Sequence, residues 1–343
     1  MVIQDLKMSF AEDTVGSLMS HEFIRIPEDY TADEAIVYLR QNVRGKANIH
    51  YIYVVDSTEK IKGVLSLREL LGAKGDLILK EFMKKELIVL DSNLDQELAA
   101  RIFQDTDLVT IPVVDEERHM IGVIHVDAMM DVMQEEATED IHKMASISVD
   151  DEKIEGGLLK APSLWLYVKR MPWLVILVFV NLLSGAGIAN YEELIGQYVH
   201  VVFFLPLLIA SGGNTGSQST TLVIRSMAVG DVKAQDWFKV IMKELSVAIL
   251  LGLTMAIAIA GIGYYRGVHS AMGNVGLETA IAVGSSMVIV VLFGGLLGAI
   301  LPFIFRWFKL DPATASTPLV TSICDIAGVF IYFGIASMFL NIG

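Results

Sequence analysis

Cysteine is all but missing from this chain. Cys324 is the only one, so no disulfide closes within it and no thiolate cluster holds a metal. A secretory leader is missing too, because the opening MVIQDLKMSF lacks a basic stretch followed by an apolar one. Basic residues are scarce: 26 Lys and Arg stand against 40 Asp and Glu, for a formal charge of −14. The deficit is local. Residues 1–160 carry 17 basic and 32 acidic side chains, a net of −15, while residues 161–343 carry 9 and 8. A half that acidic repels nucleic acid and anionic headgroups and attracts cations, which excludes nucleic-acid binding and places that half in the cytosol. A His-Glu-x-x-His motif is also lacking. The His21–Glu22 pair lies in the acidic half without a second histidine, so an intramembrane zinc protease is excluded and no enzyme is expected.

What is present begins with an internal repeat, in a chain of 343 residues that has room for two or three domains. LMSHEFIRIPED around Met19 aligns with FMKKELIVLDSN around Met83, and HYIYVVDSTEKIKGVLSLREL aligns with VTIPVVDEERHMIGVIHVDAM further on. Each copy has β-branched runs (Tyr51–Val55, Thr110–Val114), a turn, Gly63 or Gly122, and then an amphipathic helix. After a leader over 1–13, this predicts two α/β modules at 14–75 and 76–130. They resemble a tandem pair of cystathionine-β-synthase (CBS) domains, which are regulatory modules. Nucleotide-binding copies of such modules follow the last strand with Gly, two apolar residues, Ser or Thr, and Asp three later. Gly63, Ser66 and Glu69 come near that pattern and point to possible ATP binding; Gly122, His125 and Ala128 do not fit it.

An amphipathic helix is expected over about 126–146, with Val126, Met130, Met133, Ala137, Ile141 and Met144 on one stripe. Asp131, Glu135 and Glu139 line the opposite edge at i, i+4, i+8, with Glu136 and Asp140 beside them. Like charges at that spacing destabilise a bare helix. Either the face is simply solvated, or the acidic connector over 131–157 needs bound cations to settle.

From Leu158 the composition turns apolar. LLKAPSLWLYVKRMP predicts an interfacial helix over 158–171, with Trp165, Tyr167, Lys169 and Arg170 at headgroup level. Five segments follow, at about 172–189, 195–226, 236–265, 276–305 and 313–341. Each is long enough to cross ~30 Å of hydrocarbon. Lys169, Arg170, Arg225, Lys233, Lys239, Lys243, Arg306 and Lys309 fall on one side and Arg266 on the other. The positive-inside rule then puts the N-terminal half in the cytosol and the C-terminus outside. The expected fold class is multi-domain: an α/β tandem CBS pair followed by an all-α five-span transmembrane domain.

Asp325 sits mid-span with no Lys or Arg in its own segment. A carboxylate there costs several kcal/mol unless compensated, so it marks a functional site, or else a protonated Asp bonded to a neighbouring helix. SGGNTGSQSTT (211–221) joins glycines to hydroxyls and amides; the glycines are expected to weaken the helix and bare its carbonyls, or to serve close packing. Gly213, Asn214, Ser217 and Thr221, with Thr317, Thr321, Ser322 and Gly328 around Asp325, offer the hard oxygens and the space that hydrated Mg²⁺ requires. One carboxylate per chain, doubled about a two-fold axis, supplies two.

FFLPLLIASGGNTGSQSTTLVIRSMAVGD and DPATASTPLVTSICDIAGVFIYFGIA resemble the second and fifth transmembrane helices of the MgtE family of magnesium channels, and EEATEDIHKMA (135–145) is similar to that family's plug helix. The resemblance, from about Ala11 to the C-terminus, implies a homodimer in the inner membrane with the pore between subunits. It also implies Asp325 as the selectivity carboxylate, and closure when cytosolic Mg²⁺ glues acidic CBS and plug surfaces together, Asp131, Glu135, Glu136, Glu139 and Asp140 among them. Two departures stand out. There is no room before Ala11 for the family's usual helical N-domain, so feedback closure is expected to be weaker, and Ser217 and Thr317 stand where many relatives carry asparagine. Transport coupled to Na⁺ or H⁺, a preference for Co²⁺ or Mn²⁺, and a sensor that moves no ion stay open.

Overall fold

The computed structural model describes residues 10–43, 50–147, 159–270 and 274–340. The chain divides into two compact units, Met1–Ala137 and Thr138–Gly343. The leader over 1–13 and the connector beyond 147 lie mostly outside the described residues.

The first unit builds one small sheet twice. The first copy comprises α1 (Val15–Leu18), β1 (Arg25–Pro27), α2 (Ala32–Asn42), β2 (Tyr51–Val55), β3 (Ile61–Ser66) and α3 (Leu67–Gly72). The second comprises α4 (Leu79–Phe82), β4 (Leu90–Asp91), α5 (Gln96–Thr106), β5 (Thr110–Val114) and β6 (Met120–His125), and leads into α6 (Val126–Met144). In each sheet the first pair of strands is parallel and the second antiparallel. The hairpin turns match: Asp56 accepts from the backbone N–H of Thr58 and Lys60, and Asp115 from those of Glu117 and His119. These bonds hold both carboxyls below the usual range: Thr58 is the largest cause at Asp56, while at Asp115 burial opposes the His119 bonds and is outweighed.

The opening segment of each copy packs in the core of the other. Val15, Leu18 and Met19 join Ile111, Val113 and Ile124, whereas Leu79, Phe82 and Met83 join Ile52, Val54 and Leu65. A side chain at Gly63 would run into Met83, and one at Gly122 into Met19. The repeat is continuous along the chain, but the two cores exchange their first turns, which ties the modules together. The stripe expected to bury α6 is exposed at Met130, Met133 and Ile141; Met129 and Val132 face the core instead. The first two turns of α6 dock on the face that meets β5 and β6, and that docking overrides the best apolar stripe.

The second unit contains α7 (Ser163–Ala189), α8 (Glu192–Gln197), a 3-10 stretch Val199–Phe204, α9 (Leu205–Ala228), α10 (Trp237–Val268), α11 (Gly276–Trp307) and α12 (Thr317–Phe339). Among the described residues, five helices are long and apolar enough to cross a membrane: Ser163–Ala189, Val199–Ala228, Ala234–Val268, Gly276–Trp307 and Thr317–Phe339. The separate interfacial helix expected over 158–171 is corrected: from Ser163 the backbone runs helically through Pro172 into the span. Proline removes one hydrogen bond, and a continuous apolar helix tolerates that loss.

α9 is an unbroken helix, so its glycines do not loosen it as expected. They pack. Gly212 and Gly216 of α9 meet Gly294 and Gly298 of α11 so closely that a methyl group at either of the latter would strike a Gly212 or Gly216 carbonyl oxygen. Small residues four apart on each helix let the backbones touch, which is how helices associate where lipid offers no hydrophobic gain. Gly298→Ala is expected to lower the stability of the detergent-solubilised chain by about 2 kcal/mol, within the range of an overpacked core. Gly261→Ala, which meets nothing within 4 Å, is expected to leave thermal unfolding unchanged or slightly improved.

Candidate functional site

The glycine seam sorts the hydroxyls of α9 onto two faces. Ser211, Thr215, Ser219 and Thr220 are buried. Three of these four hydroxyls donate to carbonyls: Ser211 to Leu207 at 2.7 Å, Thr215 to Ser211 at 2.9 Å, and Thr220 across to Gly298 of α11 at 3.0 Å. Asn214, Gln218 and Thr221 are exposed and Ser217 is half-buried, at the i, i+3/i+4, i+7 spacing of one helix face. Ser217 donates to Gly213 and Thr221 to Ser217, so their lone pairs stay available on that face. A polar stripe on a membrane-spanning helix has to face water or another polar surface.

α12 packs against the same helix and carries the carboxylate. Gly213 packs against Thr321, whose Cγ2 would lie 3.2 Å from a Cβ built there, and Gly328 packs against Ile209. Those two glycines seat α12 on α9. Thr317, Thr321 and Asp325, four residues apart, are each half-buried and share one side of α12. Ser322 is 4% exposed, so it belongs to the packed side and not to the Asp325 face. Asp325 lies eight residues into the helix, ~12 Å along its axis at 1.5 Å per residue. Among the described residues, its carboxylate makes no ion pair and accepts no hydrogen bond; only its backbone carbonyl is engaged, by Ser184 at 3.4 Å.

The acidic residues of α6 differ in their surroundings. Asp131 and Glu135 are exposed, Glu136 accepts from Gln96 at 2.6 Å, and Glu139 pairs with Lys143 of its own helix. Asp140 is half-buried. Burial disfavours the charge on Lys143, but Asp311 and Glu139 outweigh it and hold its pKa above the ordinary lysine value. Ser66 and Glu69 serve a helix cap: one Glu69 oxygen accepts from both the N–H and the hydroxyl of Ser66 at 2.8 Å, and the other faces Lys84. Among the described residues, Asp115, Glu117 and His119 stand close enough to hold a metal, but they form the β5–β6 turn, where Asp115 is already engaged.

Sequence reasoning passed over two groups. Glu244 is a second in-span carboxylate, half-buried in α10 and lying against Gly295 of α11. The signal that could have found it is a carboxylate eight residues into an apolar span, beside Lys243. Lys143 and Asp311 are 168 residues apart, and nothing in their local sequence pairs them.

A five-span helical unit with a polar face on one span and, on another, a mid-span carboxylate that pairs with no other described residue, preceded by a duplicated α/β module, defines a membrane transport protein for cations. Residues 205–335 match the MgtE family, described as divalent cation transporters, and residues 15–76 and 79–135 match CBS domains. The magnesium transporter MgtE of Thermus thermophilus is 38% identical over 332 residues, covering 97% of this chain and 71% of that protein. The magnesium transporter MgtE of Bacillus subtilis is 32% identical over 336 residues, covering 98% and 72%. A crystal structure of the cytosolic domain of the Mg²⁺ channel MgtE in complex with ATP is 38% identical and covers 36% of this chain and 50% of that one, with a TM-score of 0.35. The chain belongs to the MgtE family.

The two faces of α9 are separable by one substitution made at neighbouring positions. Thr220→Val removes the buried bond to Gly298 and is expected to lower thermal stability by about 1 kcal/mol. Thr221→Val, on the exposed face, is expected to leave the unfolding temperature within error.

Proposed function

We propose that this chain moves Mg²⁺ across the plasma membrane, with Asp325 as the ion-selecting carboxylate. The observation that carries the reading is that, among the described residues, the Asp325 carboxylate has no hydrogen-bond or ion-pair partner while sharing a side of α12 with Thr317 and Thr321, on a helix that packs against α9 through Gly213. Asn214, Ser217 and Thr221 on the polar face of α9 belong to the same proposed pathway. Mg²⁺ sheds water reluctantly and is usually bound through one or two carboxylates with most of its waters retained. Threonine, serine and asparagine oxygens accept hydrogen bonds from those waters. Serine and threonine at 217 and 317 reach less far than asparagine would, which suits a hydrated ion rather than a stripped one.

The functional unit is a symmetric homodimer with the conduction path between subunits. One carboxylate makes a poor Mg²⁺ site and two make an adequate one, and a two-fold axis brings both Asp325 side chains to the same level. The exposed polar stripe of α9 then faces water instead of lipid. The acidic half is cytosolic and the C-terminus lies outside. Cytosolic Mg²⁺ feeds back through Asp131, Glu135, Glu136, Glu139 and Asp140, where each bound ion relieves repulsion in a compact arrangement. Shifting the equilibrium from open to closed takes roughly 3–5 kcal/mol, which a few weak sites supply. ATP binding at the CBS pair, for which Ser66 and Glu69 are the candidates, is a separate proposal on which this reading does not depend; in this structure the two side chains cap α3.

The test is Mg²⁺ influx into liposomes holding the purified chain, read by an entrapped Mg²⁺-sensitive dye. Asp325→Asn is expected to reduce influx to the background of empty liposomes with an unchanged unfolding temperature, because the charge serves the ion and not the fold. Influx near that of the unsubstituted chain would remove Asp325 from the pathway.

A further inference from the structure

The last turn of α6 ends on the segment that opens α12. Lys143 Nζ lies 2.6 Å from Asp311 Oδ2 and also pairs with Glu139, one turn back on its own helix. Three residues on, the Ser146 hydroxyl donates to that of Ser316 at 2.6 Å. Ser146 is 6% exposed and Ser316 is fully buried, at the position immediately before the first turn of α12. Met144 packs against the cluster of Ala313, Ala315, Val320 and Cys324. Asp311 is engaged through both oxygens: Oδ1 accepts from Ala313 N–H at 2.8 Å, fixing the 3-10 turn Pro312–Thr314, and Oδ2 takes the ammonium. The carboxylate that shapes the entry to α12 is thus the one that holds the end of α6, and α12 carries Asp325.

Two carboxylates drawn together from different elements need a cation between them. Between Glu139 and Asp311 it is part of the chain. An ammonium on a flexible stem is a compact, strongly hydrated charge, so it can hold the contact at any Mg²⁺ concentration and still release it.

We propose that Lys143, given the transport reading above, is a positioning residue for ion passage: a tethered cation that seats the end of α6 on the entrance of α12 without Mg²⁺. It acts through Asp311 and touches no transported ion. Its consequence is a share of closure that persists when cytosolic Mg²⁺ is low, so that Mg²⁺ feedback works on a helix already partly seated and spans a narrower range.

The test is the Mg²⁺ dose–response of flux in liposomes, with dye-reported influx at low and at millimolar Mg²⁺ on the cytosolic face. Lys143→Gln is expected to raise flux at low Mg²⁺ about fivefold, the population shift that a half-buried ion pair supplies. Millimolar Mg²⁺, replacing the lost ammonium between Glu139 and Asp311, should still close it. Lys143→Arg should behave like the unsubstituted chain. Asp311→Asn, which keeps an oxygen for the Ala313 N–H and loses only the charge, should raise flux at low Mg²⁺ in the same direction, and combining it with Lys143→Gln should add little, because both remove one contact. Curves for Lys143→Gln that superimpose on the unsubstituted chain, or effects of the two changes that simply add, would overturn the proposal. A second readout needs no flux. Ser146→Cys with Ser316→Cys, in a Cys324→Ala background, should cross-link readily at any Mg²⁺ concentration, and Lys143→Gln should make the yield depend on Mg²⁺. If no form of the chain conducts Mg²⁺ yet cross-linking follows Lys143 in this way, the seat stands and the transport reading falls. Equal yields with and without Lys143 would overturn the seat itself.

Discussion

Everything in the membrane unit depends on the contact between the glycines of α9 and those of α11. Gly212 and Gly216 lie so near Gly294 and Gly298 that no side chain fits between the backbones. The contact fixes the rotation of α9 about its axis. Once Ser211, Thr215, Ser219 and Thr220 are turned into the seam, Asn214, Ser217, Gln218 and Thr221 point the other way. Close packing and the polar stripe are therefore consequences of the same helix rotation. A methyl group on the seam would move the stripe as well as weaken the fold.

Asp325 is placed by the same logic on the other side. Gly213 and Gly328 let α12 approach α9, and Asp325 lies on α12 between those two contacts. The surroundings leave the carboxylate without a protein cation, and hydrocarbon makes an uncompensated charge costly. A charge in that position is stable only when a solvated or bound cation is close by. The acidic groups at the end of α6 meet the same requirement differently, because Lys143 supplies the cation from within the chain.

In the first unit, duplication alone would give two separate small sheets, each of three short strands. Exchange of the opening turns makes each core depend on the other copy: Val15 and Met19 complete one, Leu79 and Met83 the other. The glycines after β-branched runs, Gly63 and Gly122, are the positions where the exchanged methionines lie against the hairpin. A regulatory pair built this way moves as one body.

The sequence by itself determined the duplication, the change from acidic to apolar composition, the five spans and the mid-span place of Asp325, because each is written in local periodicity, charge or length. The capping box of Ser66 and Glu69 was legible as a pair of residues but not as a cap, since a spacing of three serves several purposes. What only the tertiary structure decided were the matters of direction and partner. Composition counts a run of glycines and hydroxyls without saying which way each points, so the division of SGGNTGSQSTT into a packed face and an open one required α11 and α12 to be in place. The buried side of α6, the exchanged turns of the CBS pair and the Lys143–Asp311 contact all join residues far apart in the chain. Such pairings are set by which surfaces meet after the elements have formed, and no local pattern records them.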